Sequence, residues 1–147
     1  MNGVLYLVLP AYNEEENIEA VVRSWYTVLD GKAEESRIVI ADSGSSDGTH
    51  GILERLCQEF PKLIVLSSTG RYHGEKLIAL YDYAIQNGAE WIFQTDSDGQ
   101  TDPDEFASFW NMREDCDGIF GNRHVRGDGF IRAFVEKVVC FLLRLYF

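Results

Sequence analysis

Short apolar runs at Val4 to Leu9, Arg37 to Ala41, Leu63 to Leu66 and Trp91 to Thr95 are each followed by a stretch with helical patterning. This alternation constrains the fold more than any other feature. Strands joined through helices pair in parallel, and the helices then cover the sheet. The intervening helices are read at Glu14 to Leu29, Asp47 to Phe60 and Glu75 to Asn87, and Asp102-Pro103 opens another with proline in its first turn. A further strand is read at Gly118 to Gly121, and a last apolar helix from Phe130. The expected fold is α/β, a mainly parallel sheet flanked by helices, with no repeat, low-complexity tract or linker to divide it.

Composition narrows the function. A chain of 147 residues with 46% hydrophobic content builds one core. Its 13 basic and 24 acidic residues give a formal charge of −11, which disfavours general binding to nucleic-acid backbones. A nucleotide held by such a chain needs a metal ion. Cys57, Cys116 and Cys140 are odd in number and show no CxxC pairing, so they read as packing thiols of a reducing, cytoplasmic compartment. The first apolar run is short, lacks basic residues before it and runs into Pro10, unlike a signal peptide. No segment reaches the ~20 uncharged residues of a membrane span.

Ligands of open α/β sheets lie beyond the carboxyl ends of the strands, and the unusual residues fall there. Trp91-Ile92-Phe93-Gln94-Thr95 ends in Asp96-Ser97-Asp98-Gly99-Gln100. Side chains two apart in an extended segment face the same way, so Asp96 and Asp98 can meet one hard cation, Gly99 permits a sharp departure, and Gln100 adds an amide oxygen. The competing reading is an acidic turn that closes a strand. After the first strand, Pro10 and Tyr12 supply a rigid backbone and a ring to border a nucleobase. Asn13 is read as a helix cap, and Glu15 and Glu16 suit the positive end of the helix, with Glu14 less confined to that role. After the second strand, Asp47 or Ser46 is read as the cap of the next helix, whereas Asp42 precedes it and is free to accept from a base or ribose hydroxyl.

Together, Pro-Ala-Tyr-Asn-Glu-Glu-Glu-Asn-Ile at 10–18, Ile-Ala-Asp-Ser-Gly-Ser-Ser-Asp-Gly-Thr at 40–49 and Asp-Ser-Asp-Gly-Gln at 96–100 resemble the family 2 glycosyltransferases of the GT-A fold. The ending Asp-Gly-Gln followed by Asp102-Pro103 is most similar to the branch of dolichol-phosphate mannosyltransferase and other polyprenyl-phosphate glycosyltransferases. The resemblance implies a UDP- or GDP-linked sugar as donor, with Pro10, Tyr12 and Glu14 bordering base and ribose and Asp42 holding the nucleoside. It implies Mg²⁺ or Mn²⁺ on Asp96, Asp98 and Gln100, with Ser97 part of the same nucleotide-sugar site. Asp98 and Arg123 would be catalytic, Arg123 in Gly121-Asn122-Arg123 meeting phosphate through its guanidinium. The sequence departs from the family at Ser43, where a second acid is usual, and at His73-Gly74-Glu75-Lys76, which leaves Lys76 readable as a phosphate ligand or as a solvated helix residue. His73 reads as a loop residue rather than a metal ligand.

Family catalytic domains continue past the equivalent of Phe147, so the resemblance implies an incomplete GT-A domain: a fragment, a truncated product, or a subunit completed by another chain or an oligomer. The expected division is a nucleotide-sugar-binding core at 1–129 and an amphipathic helix at 130–147. In that last segment Arg132, Glu136, Lys137 and Arg144 gather on one arc opposite a broad Phe, Val and Leu face, as suits a helix lying on an anionic membrane. A core helix is the competing reading. The expected function is metal-dependent, inverting transfer of a sugar from a nucleotide diphosphate to a polyprenyl phosphate, at the cytoplasmic face of a membrane and without nucleic acid. The alternative is a nonenzymatic nucleotide-binding or scaffolding subunit. A nucleotidyltransferase fits less well, because it requires a basic glycine-rich loop where this chain has acidic Pro10 to Glu16.

Overall fold

The computed structural model describes residues 3–121. The chain falls into two compact units, residues 1–108 and 109–147. In the first, strands β1 (Leu5–Ala11), β2 (Arg37–Asp42), β3 (Leu63–Leu66) and β4 (Trp91–Gln94) form one sheet in the order β3-β2-β1-β4. All three pairings are parallel, as the alternation of runs predicts. Helices α1 (Ile18–Tyr26), α2 (Thr49–Glu59) and α3 (His73–Gln86) make the connections, and α4 (Phe106–Met112) follows the sheet. Among the described residues no helix is long and apolar enough to cross a membrane.

Alternation along β1 divides the core into two layers. Tyr6 and Val8 face a cluster with Val39, Ala41, Leu80 and Ala84, which seats α3 on that side of the sheet. Residues of opposite parity, Leu5, Leu7 and Leu9, are at most 1% exposed. Phe93 pairs in register with Leu7 and packs its ring against Trp25 of α1 at 5.4 Å and Phe106 of α4 at 5.1 Å. Burying side chains of this size stabilises the fold by roughly 1.5–3 kcal/mol each.

Proline in a central strand would ordinarily remove a ladder hydrogen bond. Pro10 escapes this. The Val8 carbonyl points toward β4 and accepts from the Thr95 N–H at 3.2 Å, so Pro10, two residues on, points the same way where β4 has already ended. Its carbonyl accepts instead from the Ser97 hydroxyl at 2.8 Å.

Two expected elements differ. Residues 118–121 form no strand: only Ile119 and Phe120 separate two glycines, and Phe120 is 94% exposed, so the run is too short to bury a face. The first helix begins at Ile18 rather than Glu14, because residues 12–17 form an irregular turn tied to the loop after β2. Asn13 therefore caps no helix. It adopts a left-handed φ of 56° and accepts the Ser46 N–H on its side-chain oxygen at 2.8 Å. The expected helix after Asp102-Pro103 is present as a 3₁₀ turn at Pro103–Glu105 leading into α4, with the Asp102 carboxylate accepting the Asp104 N–H. In the second unit the Arg113 guanidinium stacks on Trp110 at 4.3 Å. Arg123, the boundary at 129/130 and the amphipathic segment 130–147 lie outside the described residues.

Candidate nucleotide-sugar site

The chain runs β1, β2, β3 toward one edge of the sheet and then places β4 on the other side of β1. The switch point between β1 and β4 is where an open α/β sheet leaves a crevice. A cavity of about 400 Å³ opens there, within the roughly 300–1,000 Å³ typical of small-ligand sites. The end of β1 contributes Pro10, Ala11, Tyr12 and Glu14 to its wall, and the end of β4 contributes Asp96, Ser97 and Asp98. The start of α3 contributes Arg71, Tyr72, His73 and Lys76.

Asp96 and Asp98 are half-buried on one wall, and the serine between them, which also lines it, is buried. Ser97 is 4% exposed and its hydroxyl bonds the Pro10 carbonyl, so it fastens the acidic loop to β1 instead of presenting a donor to the cavity. One Asp98 oxygen accepts the Gln100 N–H at 3.0 Å, closing a turn that passes through Gly99 at a φ of 75°. The Asp96 carboxylate accepts no hydrogen bond among the described residues. Gln100 is exposed and stands outside the cavity wall. No group of three His, Cys, Asp or Glu side chains suited to a metal occurs among the described residues. Two carboxylates on a solvent-reachable wall nevertheless fit Mg²⁺ or Mn²⁺, hard ions that commonly take one or two carboxylates and complete their shell with phosphates and water.

The loops after β1 and β2 bind each other. Glu15 accepts the Gly48 N–H, Asp47 accepts the Glu15 N–H at 3.1 Å, and Thr49 accepts the Glu14 N–H at 2.8 Å. Asp47 also accepts from the Thr49 N–H at 3.1 Å, but the N-cap of α2 is Gly48, which has no side chain to cap with, so the cap expected of Asp47 or Ser46 falls one residue later. Glu15 thus serves the start of α2, not the dipole of its own helix. Glu14 lines the cavity while its carboxylate accepts from the Asn17 amide at 3.0 Å.

Asp42 caps no helix. It lies at the end of β2, 3% exposed and outside the cavity wall, with one oxygen accepting from the Ser45 hydroxyl and the other 3.2 Å from His50 Nδ1. Ser43, the residue that replaces an acid, bonds the Thr69 N–H at 2.8 Å and ties β2 to the loop after β3.

Lys76 lines the cavity but is not the solvated helix residue that its sequence context allowed. It is 2% exposed, and its ammonium donates to the Ala11 carbonyl. The exposed cation of that wall is Arg71, which sequence reasoning passed over along with Tyr72 and His50. His73, read as a loop residue, is the first residue of α3 and lines the cavity. These residues carry no motif signal. Arg71 and Tyr72 are visible only because Gly70, at a φ of 86°, turns the chain so that Glu75 accepts the Tyr72 N–H at 3.0 Å and starts the helix at the cavity rim.

A parallel sheet with a cavity at its switch point, an acidic pair at the end of β4 and helices on both faces is the architecture of the GT-A glycosyltransferases. A mannosyltransferase from Pyrobaculum calidifontis, solved with GDP-Man and Mn²⁺, superposes at a TM-score of 0.56 with 27% identity, over 67% of this chain and 28% of that one. Glucosyl-3-phosphoglycerate synthase from Mycobacterium tuberculosis, solved with Mn²⁺, UDP and phosphoglyceric acid, superposes at 0.58 with 23% identity, over 80% of this chain and 41% of that one. The family model for glycosyl transferase family 2 matches residues 6–141, and the chain belongs to that family. Among curated relatives, an undecaprenyl-phosphate 4-deoxy-4-formamido-L-arabinose transferase of Salmonella choleraesuis is 24% identical over 139 residues, 94% of this chain. The chain spans 42% of that relative's length.

Proposed function

We propose that this chain carries the donor half of a sugar transferase that uses a nucleotide diphosphate sugar, UDP- or GDP-linked, and a polyprenyl phosphate acceptor at the cytoplasmic face of a membrane. The observation that carries this reading is the convergence of Asp96, Asp98 and Arg71 on one cavity at the switch point. Relatives named for undecaprenyl phosphate and solved neighbours holding UDP or GDP-Man with Mn²⁺ support it. Asp96 and Asp98 would hold Mg²⁺ or Mn²⁺ at the diphosphate, with Gln100 outside the cavity wall. When bound, such an ion acts as a Lewis acid on the leaving group.

The chain's own groups bind and orient. Pro10, Tyr12 and Glu14 border base and ribose. Asp42, outside the cavity wall, stays at the nucleoside end of the site on its Ser45 and His50 partners. Arg71 offers guanidinium donors to the phosphates; Arg123, given that role by the family resemblance, lies outside the described residues. Transfer proceeds by one displacement with inversion: an acceptor phosphate oxygen forms the new bond to the anomeric carbon as the bond to the diphosphate oxygen breaks and its electron pair leaves with the diphosphate. A phosphate acceptor is already an anion, so no protein base is required.

Calorimetry tests the site directly. Nucleotide diphosphate affinity should rise with added Mn²⁺ in the wild type and lose that dependence in Asp98→Ala. Equal, metal-independent affinity in both proteins would refute the assignment.

A further inference from the structure

A lysine solvated on a helix surface keeps its ammonium on a flexible, hydrated stem. Lys76 does not. Its side chain is enclosed at the start of α3, its ammonium donates to the carbonyl of Ala11, the last residue of β1, and it lies 5.2 Å from the centre of the Tyr12 ring. Burial pushes its pKa below the ordinary lysine value, and the Asp42 carboxylate opposes that shift. Ala11 and Asp42 are register partners across β1 and β2, so the acceptor of this lysine and its balancing charge sit at the same level of the sheet. Buried charges persist only where such partners offset their desolvation. Tyr12 is 47% exposed, leaving part of its ring open to a ligand while the cation holds it.

We propose that Lys76 is a positioning residue for the nucleoside end of the site: it fastens the β1 terminus to α3 and holds Tyr12 and Asp42 in place, while Arg71 meets the phosphates. The proposal rests on the nucleotide reading above. It separates two cations that line the same cavity.

Saturation-transfer NMR on the whole chain, in Mg²⁺, would measure affinities for UDP and uridine and for GDP and guanosine, taking forward the pair that the wild type binds. Lys76→Met should weaken nucleoside and diphosphate by the same factor, about 10-fold or more, leaving their ratio unchanged. Arg71→Gln should weaken only the diphosphate. If Lys76→Met does not fold, Lys76→Gln, a neutral donor for the Ala11 carbonyl, is measured in the same way and should keep the wild-type ratio. A loss confined to the diphosphate in either Lys76 variant would make Lys76 a phosphate ligand and overturn the proposal, as would wild-type diphosphate binding without measurable nucleoside binding. Binding of neither ligand by the wild type would instead remove the nucleotide reading beneath it.

Discussion

Ser97 shows how much a single hydroxyl can decide at this site. Between two carboxylates it looks like a further ligand, yet it is the hydrogen bond to the Pro10 carbonyl that holds Asp96 and Asp98 on the cavity wall. A methyl group in its place leaves a buried carbonyl without its partner, which costs about 1–3 kcal/mol. Ser97→Ala should therefore lower the melting temperature and also weaken Mn²⁺-dependent nucleotide binding roughly 10-fold, the usual scale for groups that orient metal ligands. Destabilisation with unchanged affinity would show that the acidic loop keeps its geometry without this bond.

Among the elements, α1 and α2 are joined at the surface by charge. Arg23 bridges Glu19 and Glu59, and Arg55 reaches Glu19 from the other helix. The Arg55 and Arg23 hydrogen bonds hold the Glu19 carboxyl below its ordinary value, and the Arg23 hydrogen bond does the same for Glu59. Because both folded-state values are depressed, the stabilisation is present above the ordinary glutamate value and is lost as pH falls through the folded one. The groups are exposed, so the effect is small and screened by salt. Arg23→Gln should melt below the wild type at neutral pH and low salt, and the difference should shrink between roughly pH 5 and pH 3. Thermal melts showing a constant gap across that range would assign the loss to packing of Arg23 on Phe60, whose ring centre lies 5.3 Å from the guanidinium.

At the scale of the whole molecule, the proposed polyprenyl phosphate acceptor is embedded in a membrane. The segment 130–147 pairs Arg132, Lys137 and Arg144 with a wide apolar pattern, and we propose that it brings the site to an anionic bilayer surface. In a flotation assay at low salt the chain should rise with anionic vesicles, and Phe134→Glu combined with Leu142→Glu should release it while the far-ultraviolet dichroism is retained. A wild-type chain that stays at the bottom of the gradient would rule out this role for the segment.

The parallel architecture and the acidic pair after β4 were legible in the sequence because each follows from local rules: apolar runs alternating with helical patterns, and carboxylates closely spaced at a strand end. Carboxylates announce themselves by type and spacing. What the tertiary structure alone decided is which groups stand in the cavity and which stand behind it. The folded chain encloses both Asp42 and Lys76, Asp42 outside the cavity wall and Lys76 on it, the lysine against a carbonyl 65 residues away in sequence. Arg71 has no motif to mark it and reaches the cavity through the turn at Gly70. The cap read at Asn13 failed for the same reason, since its side chain turns to Ser46 in a neighbouring loop. Whether a short apolar run pairs, or a polar side chain turns to its own helix or to a neighbouring loop, depends on partners distant in the chain, and only the assembled sheet brings those within reach.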